Sequence, residues 1–191
     1  MFNQILFPVD FSDRSVGAAP HVKEMADHFG SKVSLLHVVD MMRAFSVAGE
    51  FGAAYGYEMD TDSLAARLRS ELDVFGKQHL PNVCRGVYVE QGDPASVITR
   101  FAQERSFDLI MMPSHGYGPF RRLLLGSVTA KVLHDSECPV WTDAHLEATP
   151  LESRLPYGNV LCAVDLRSRS TALIQWAARL AEYFHASLRL V

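Results

Sequence analysis

Compact apolar runs alternate with stretches of helical periodicity along most of the chain. Residues 5–9 form an apolar run that ends at Asp10, and Ser12, Asp13, Arg14 and Ser15 then open an amphipathic stretch reaching Phe29. Gly30 closes that helix, and residues 33–39, rich in valine and leucine, suit a strand buried on both faces. Leucines, alanines and Phe75 recur at helical spacing over 62–79 until Pro81 and Asn82 stop the element, and 84–90 follows as a third strand. Asp93 as N-cap and Pro94 in the first turn start a helix that runs to residue 105. Residues 107–112 read as an apolar strand interrupted only by Asp108, then 127–134 as helix and 140–142 as a last short strand. Strands alternating with helices at this spacing predict a parallel, doubly wound α/β sheet. Residues 41–60, with Gly49, Gly52 and Gly56 among aromatics and methionines, break the pattern. They suit a loop over a site or, more simply, a connector or oligomer contact.

The pattern then starts again. With Asp165 set on Asp10, an offset of 155, residues 159–191 align with 4–36 without a gap. Leu161, Val164, Asp165, Arg169, Ser170, Ala181, Phe184 and Leu190 match Leu6, Val9, Asp10, Arg14, Ser15, Ala26, Phe29 and Leu35. Residues 144–157, carrying Glu147, Pro150, Glu152 and Pro156, read as a linker. The expected organisation is a complete domain over 1–143, that linker, and a partial second βαβ repeat over 158–191. A βαβ fragment by itself exposes an apolar face and open strand edges, so it is expected to dock on further structure, in a longer tandem chain or on another subunit.

Composition fits that organisation: 191 residues hold one domain of roughly 100–150 residues and a remainder. With 48% hydrophobic and 21% charged residues the chain can build a core, which excludes wholesale disorder. A net charge of −4 offers no basic field for a phosphate backbone, so nucleic acid is not an expected partner. The N-terminus has no basic region ahead of its short apolar run, and no apolar stretch approaches the roughly 20 residues of a bilayer span. A cytoplasmic protein without membrane contact is expected. Cys84, Cys138 and Cys162 are odd in number and lack CxxC spacing, which suits buried structural thiols better than disulfides or zinc ligands.

In an open parallel sheet, ligands bind beyond the carboxyl ends of the strands, where the strand order reverses. Asp10 ends the first strand, Val38 to Asp40 the second, and Pro113 to Gly118 follows the fourth, so the three segments can line one crevice. Ser114, His115, Gly116, Tyr117 and Gly118 lead through Arg121 and Arg122 to Gly126 and Ser127 at a helix start. Small residues admit an anion close to the backbone, and a helix N-terminus supplies N–H groups and a positive dipole end. This is a phosphate cradle in physical terms, although ordinary turn glycines and a serine cap would look the same. Neither GxxxxGK[ST] nor GxGxxG is present. Arg121 and Arg122 could clamp phosphates or face solvent, and His115 suits turn packing better than base catalysis, since no nucleophile is paired with it. Asp10 and Asp40 are oxygen donors of the kind Mg²⁺ takes, or else ribose-binding or helix-capping carboxylates. No HExxH, HxGH or SGGxxS signature supports a metal enzyme or an adenylyl-transferring one.

At these residues the chain resembles the universal stress protein family. Residues 5–12, ILFPVDFS, look like its first-strand signature and 35–40, LLHVVD, its second. Its ATP-binding members carry GxxG, nine residues, then G[ST]; here Pro113-Ser114-His115-Gly116, nine residues, Gly126-Ser127 fall in that register. The resemblance implies a flavodoxin-like five-stranded sheet, adenine-nucleotide alpha-hydrolase-like, and homodimers formed through the last strand. It implies ATP, with or without Mg²⁺, as ligand. Asp10 would meet its ribose or adenine end, Val38 would offer backbone groups to adenine, and Gly116, Gly126, Ser127 and Val128 would hold phosphates. Val9, Met112, Pro113 and Thr129 complete the expected binding set. Pro113 stands where the family has its first glycine and takes away one N–H donor. The expectation is a stress-response binding and signalling module with at most slow ATP hydrolysis; a nucleotide-free dimerisation domain is the alternative.

Overall fold

A computed structural model describes residues 1–40, 61–114, 125–142, 155–165 and 170–191, which fall into two compact units, 2–149 and 150–191 with Met1. In the first, β1 (Gln4–Pro8), β2 (Lys32–Val39), β3 (Cys84–Gln91), β4 (Leu109–Met111) and β5 (Val140–Trp141) form a parallel sheet in the order β3-β2-β1-β4-β5. The connecting helices are α1 (Asp13–Phe29), α2 (Thr61–His79), α3 (Pro94–Glu104) and α4 (Ser127–Asp135). Helices α1 and α2, on connections leading away from β1 in one direction, pack together on one face, and α3 and α4, on connections leading in the other, pack together on the opposite face.

Neighbouring strand residues divide between these faces. Phe7 meets Phe75 of α2 with ring centres 6.2 Å apart. Leu6 and Leu36 join a buried cluster with Ile98, Phe101 and Ala102 of α3, Ile110 of β4 and Val132 of α4. The helix signals act as expected. The Ser12 hydroxyl caps α1 by accepting from the Ser15 N–H, Gly30 closes it at φ 66°, and Asp93 caps α3 by accepting from the Ser96 N–H. Strand β4 is shorter than the apolar run around it. Asp108 stands just before the strand: its carboxylate accepts from the N–H groups of Asn3 and Gln4, at 2.8 and 3.1 Å, and its own N–H donates to the Gln4 carbonyl at 3.1 Å. Phe107 instead packs beside Phe101.

In the second unit, β6 (Asn159–Cys162) and β7 (Ser187–Leu190) pair in parallel around α5 (Ser170–Phe184). Its internal hydrogen bonds repeat those of the first βαβ at the offset of 155. Val164 N–H donates to the Val191 carbonyl as Val9 N–H does to Leu36, and Ser187 N–H to Gly158 as Lys32 N–H does to Asn3. Tyr157 meets Phe184 edge-to-face at 5.2 Å where Phe2 meets Phe29 at 5.1 Å, and His185 takes φ 53° at the position of Gly30. Burial differs. Leu6, Leu35 and Leu36 are fully buried, whereas their counterparts Leu161, Leu190 and Val191 are 66%, 51% and 66% exposed.

Candidate functional site

The chain runs from β1 outward to β2 and β3, then returns to the other side of β1 to form β4. The strand order therefore reverses between β1 and β4, and in open α/β sheets the crevice for a ligand lies beyond the carboxyl ends at such a switch point. Val9 and Asp10 leave β1 there, Val38 lies near the end of the adjacent β2, and Met112, Pro113 and Ser114 leave β4. The described part of the expected constellation thus shares one end of one sheet.

The turn after β1 is tightly tied. Asp10 Oδ1 accepts from the Ser12 N–H at 3.0 Å, the Ser12 hydroxyl at 2.5 Å and the Ser15 hydroxyl at 2.6 Å. Oδ1 therefore organises the first turn of α1, which is the helix-capping role the sequence left open for this carboxylate; Oδ2 stands outside that set. Phe11 takes φ 60°, a left-handed conformation rare for a bulky residue, and lies 4.8 Å from the His37 ring. His37 Nδ1 lies 2.7 Å from the Val9 carbonyl, which can only accept, so Nδ1 carries the proton.

Across the crevice, Gly126 is the N-cap of α4 and, having no side chain, gives the first turn no side-chain cap. Its N–H donates to the Ser114 carbonyl at 2.9 Å and its carbonyl accepts from Ala130, which fixes the approach of the loop to the helix. The first-turn N–H groups of Ser127, Val128 and Thr129 belong to the set that has no intrahelical partner. Ser127 is exposed and Val128 half-buried. Thr129 is buried, and its hydroxyl donates to the Pro113 carbonyl at 3.1 Å, so this side chain braces the loop. Met112 is buried against the α3–α4 cluster, and its N–H donates to Trp141. Gly116, His115, Arg121, Arg122 and the loop 41–60 lie outside the described residues.

Burial pushes the Cys84 and Cys138 thiols above their ordinary range, which suits packing rather than nucleophilic work. Three contributors were not read from the sequence. Ser12 and Ser15 carried a signal, a serine two and five residues after the strand-end aspartate, the latter repeated as Asp165 and Ser170 with their hydrogen bond of 3.2 Å. The role of His37 depends on strand register and had no local signal.

A parallel five-stranded sheet with this strand order and a glycine-capped helix at its switch point defines a doubly wound, flavodoxin-like α/β protein. The universal stress protein family model matches residues 1–142, and the chain belongs to that family. It is 29% identical over 151 residues to universal stress protein MJ0577 of Methanocaldococcus jannaschii, covering 73% of this chain and 93% of that one. The solved structure of MJ0577 superposes with a TM-score of 0.58 at 30% identity, over 74% of this chain and 95% of that one. A universal stress protein solved in complex with cAMP shares the fold at 19% identity, with a TM-score of 0.51 over 74% of this chain and 96% of that one. A longer universal stress protein from Archaeoglobus fulgidus matches all of this chain and 66% of its own, with a TM-score of 0.70 at 21% identity. Among the described residues no helix is long and apolar enough to cross a membrane.

Proposed function

We propose that the first unit is an ATP-binding stress-response module that works as a cytoplasmic homodimer, binding and signalling rather than turning over a metabolite. The observation that carries this reading is the glycine N-cap of α4, which leaves its first turn without a side-chain cap at the sheet's switch point. A phosphate fits there, with Gly126, Ser127 and Val128 as its holders and Gly116 as a further one. Asp10 and Val38 are the base and ribose side; Val9, Met112 and Pro113 shape the backbone between them. Asp10 Oδ1 is already occupied by Ser12 and Ser15, so a Mg²⁺ ion is assigned to the nucleotide's own phosphates rather than to an Asp10–Asp40 pair. A universal stress protein of this fold solved in complex with cAMP supports a nucleotide as the ligand class. We further assign 144–157 as linker and 158–191 as a partial second repeat, supported by the matching hydrogen bonds.

The test is to denature freshly purified protein, identify released nucleotide by chromatography, and titrate ATP with and without Mg²⁺. ATP at a hundredfold excess over its Kd should stabilise the fold by about 2.7 kcal/mol. Gly126→Val or Ser127→Glu should abolish that gain, because bulk or negative charge fills the cradle. Retained stabilisation in both variants would sink the site assignment. Pro113 favours a second reading, a nucleotide-free dimerisation domain, because it offers no N–H and its carbonyl is taken by Thr129. That reading gives no ATP shift and a melting temperature that rises with protein concentration.

A further inference from the structure

We infer that His37 is a positioning residue that takes the Val9 carbonyl out of the β-ladder and so leaves the Val38 peptide groups facing the crevice for a base edge; this rests on the nucleotide reading above. Along β2, Lys32 N–H donates to Asn3 and Leu36 accepts from Val9, each at 2.8 Å, so even-numbered residues turn their peptide groups to β1. Val33 N–H donates to Val83 at 2.9 Å and Val39 accepts from Gly92 at 3.1 Å, so odd-numbered residues turn theirs to β3. Val38 therefore faces the β1 side, and the next rung of a parallel ladder would run from its N–H to the Val9 carbonyl. The imidazole occupies that carbonyl instead, at 2.7 Å. Its ring is held by Phe11 at 4.8 Å, and Phe11 in turn meets Phe75 edge-to-face at 6.5 Å. One side chain thus ends the β1–β2 ladder one rung early, beside Asp10. An adenine edge, with a donor next to an acceptor, matches the adjacent N–H and C=O of an unpaired strand end.

The experiment compares wild type, His37→Leu and His37→Asn by calorimetric titration with ATP and with inorganic tripolyphosphate, which has phosphates and no base. The Asn amide nitrogen stands where Nδ1 does and keeps the donor. His37→Leu should weaken ATP about tenfold, the size of one net hydrogen bond, and leave tripolyphosphate unchanged. His37→Asn should recover ATP affinity to within about threefold. Nitrogen-15 NMR of the wild-type imidazole should show the proton on Nδ1. Unchanged ATP affinity in His37→Leu, an equal loss for both ligands, no rescue by His37→Asn, or the opposite tautomer would overturn the inference. A wild type that binds tripolyphosphate but not ATP would overturn it and leave the phosphate cradle standing. A wild type that binds neither would overturn both.

Discussion

Asp10 illustrates how one carboxylate at a strand end serves the fold. Its Oδ1 gathers the Ser12 N–H and hydroxyl and the Ser15 hydroxyl, and Ser15 is buried. Replacing it with alanine removes the shared acceptor and strands a buried hydroxyl, so Asp10→Ala should cost about 2 kcal/mol in urea unfolding, and Asp10→Asn, which keeps an oxygen there, about half of that. A loss under about 0.5 kcal/mol for Asp10→Ala would show that water or a neighbour replaces the acceptor. The position of Asp10 was legible because an apolar run ended at it. Its partners were less so, since a serine spacing reads equally as helix cap or surface. Thr129 belongs to the expected binding set, and its hydroxyl ties α4 to the Pro113 carbonyl. That brace depends on the three-dimensional neighbourhood and had no local signal in the sequence.

At the scale of elements, local chemistry made the helices legible at their starts: Ser12 and Asp93 cap, Pro94 sits in the first turn, and Gly30 closes α1 in the left-handed region. Strand limits were less legible because pairing, not composition, sets them, as Asp108 shows by spending its carboxylate on the entry to β1. Asp93 also links two elements. The Ser96 hydroxyl and N–H, then the Lys131 ammonium of α4 at 2.9 Å, hold its carboxyl down at about 2. A depressed carboxylate contributes stability above its unfolded value, near 3.9, and that contribution is lost as pH falls through about 2. Because the side chain is more than half exposed, the effect is modest. Asp93→Ala should cost about 1 kcal/mol at pH 7, mainly through the lost cap. Urea midpoints should show this gap to wild type narrowing below about pH 4 and closing near pH 2. A gap constant from pH 7 to pH 2 would mean that the charged form of Asp93 contributes nothing. Lys131→Met should cost less than about 0.5 kcal/mol and should lose even that in 1 M salt.

At the scale of the whole molecule, an apolar pattern and a few fixed polar residues recur along the sequence at one offset, and the hydrogen bonds of β6, α5 and β7 follow the same offset. What recurs is the βαβ unit; what does not is its surroundings. In the first unit, α3 and α4 cover Leu6 and Leu36, and Leu35 comes within reach of Gly76 on α2. Their counterparts in the second unit stand open. The same residue type at equivalent positions therefore carries different energetic weight, and a paired substitution measures it. Leu6→Ala should cost between about 2 and 5 kcal/mol, through lost burial and the cavity it leaves. Leu161→Ala, starting from 66% exposure, should stay within about 0.5 kcal/mol. Both are read by chemical denaturation across a hundredfold range of protein concentration. If Leu161→Ala costs more than about 2 kcal/mol and the cost grows with concentration, another copy of the chain covers that face. If the cost is small at every concentration, the face is bare.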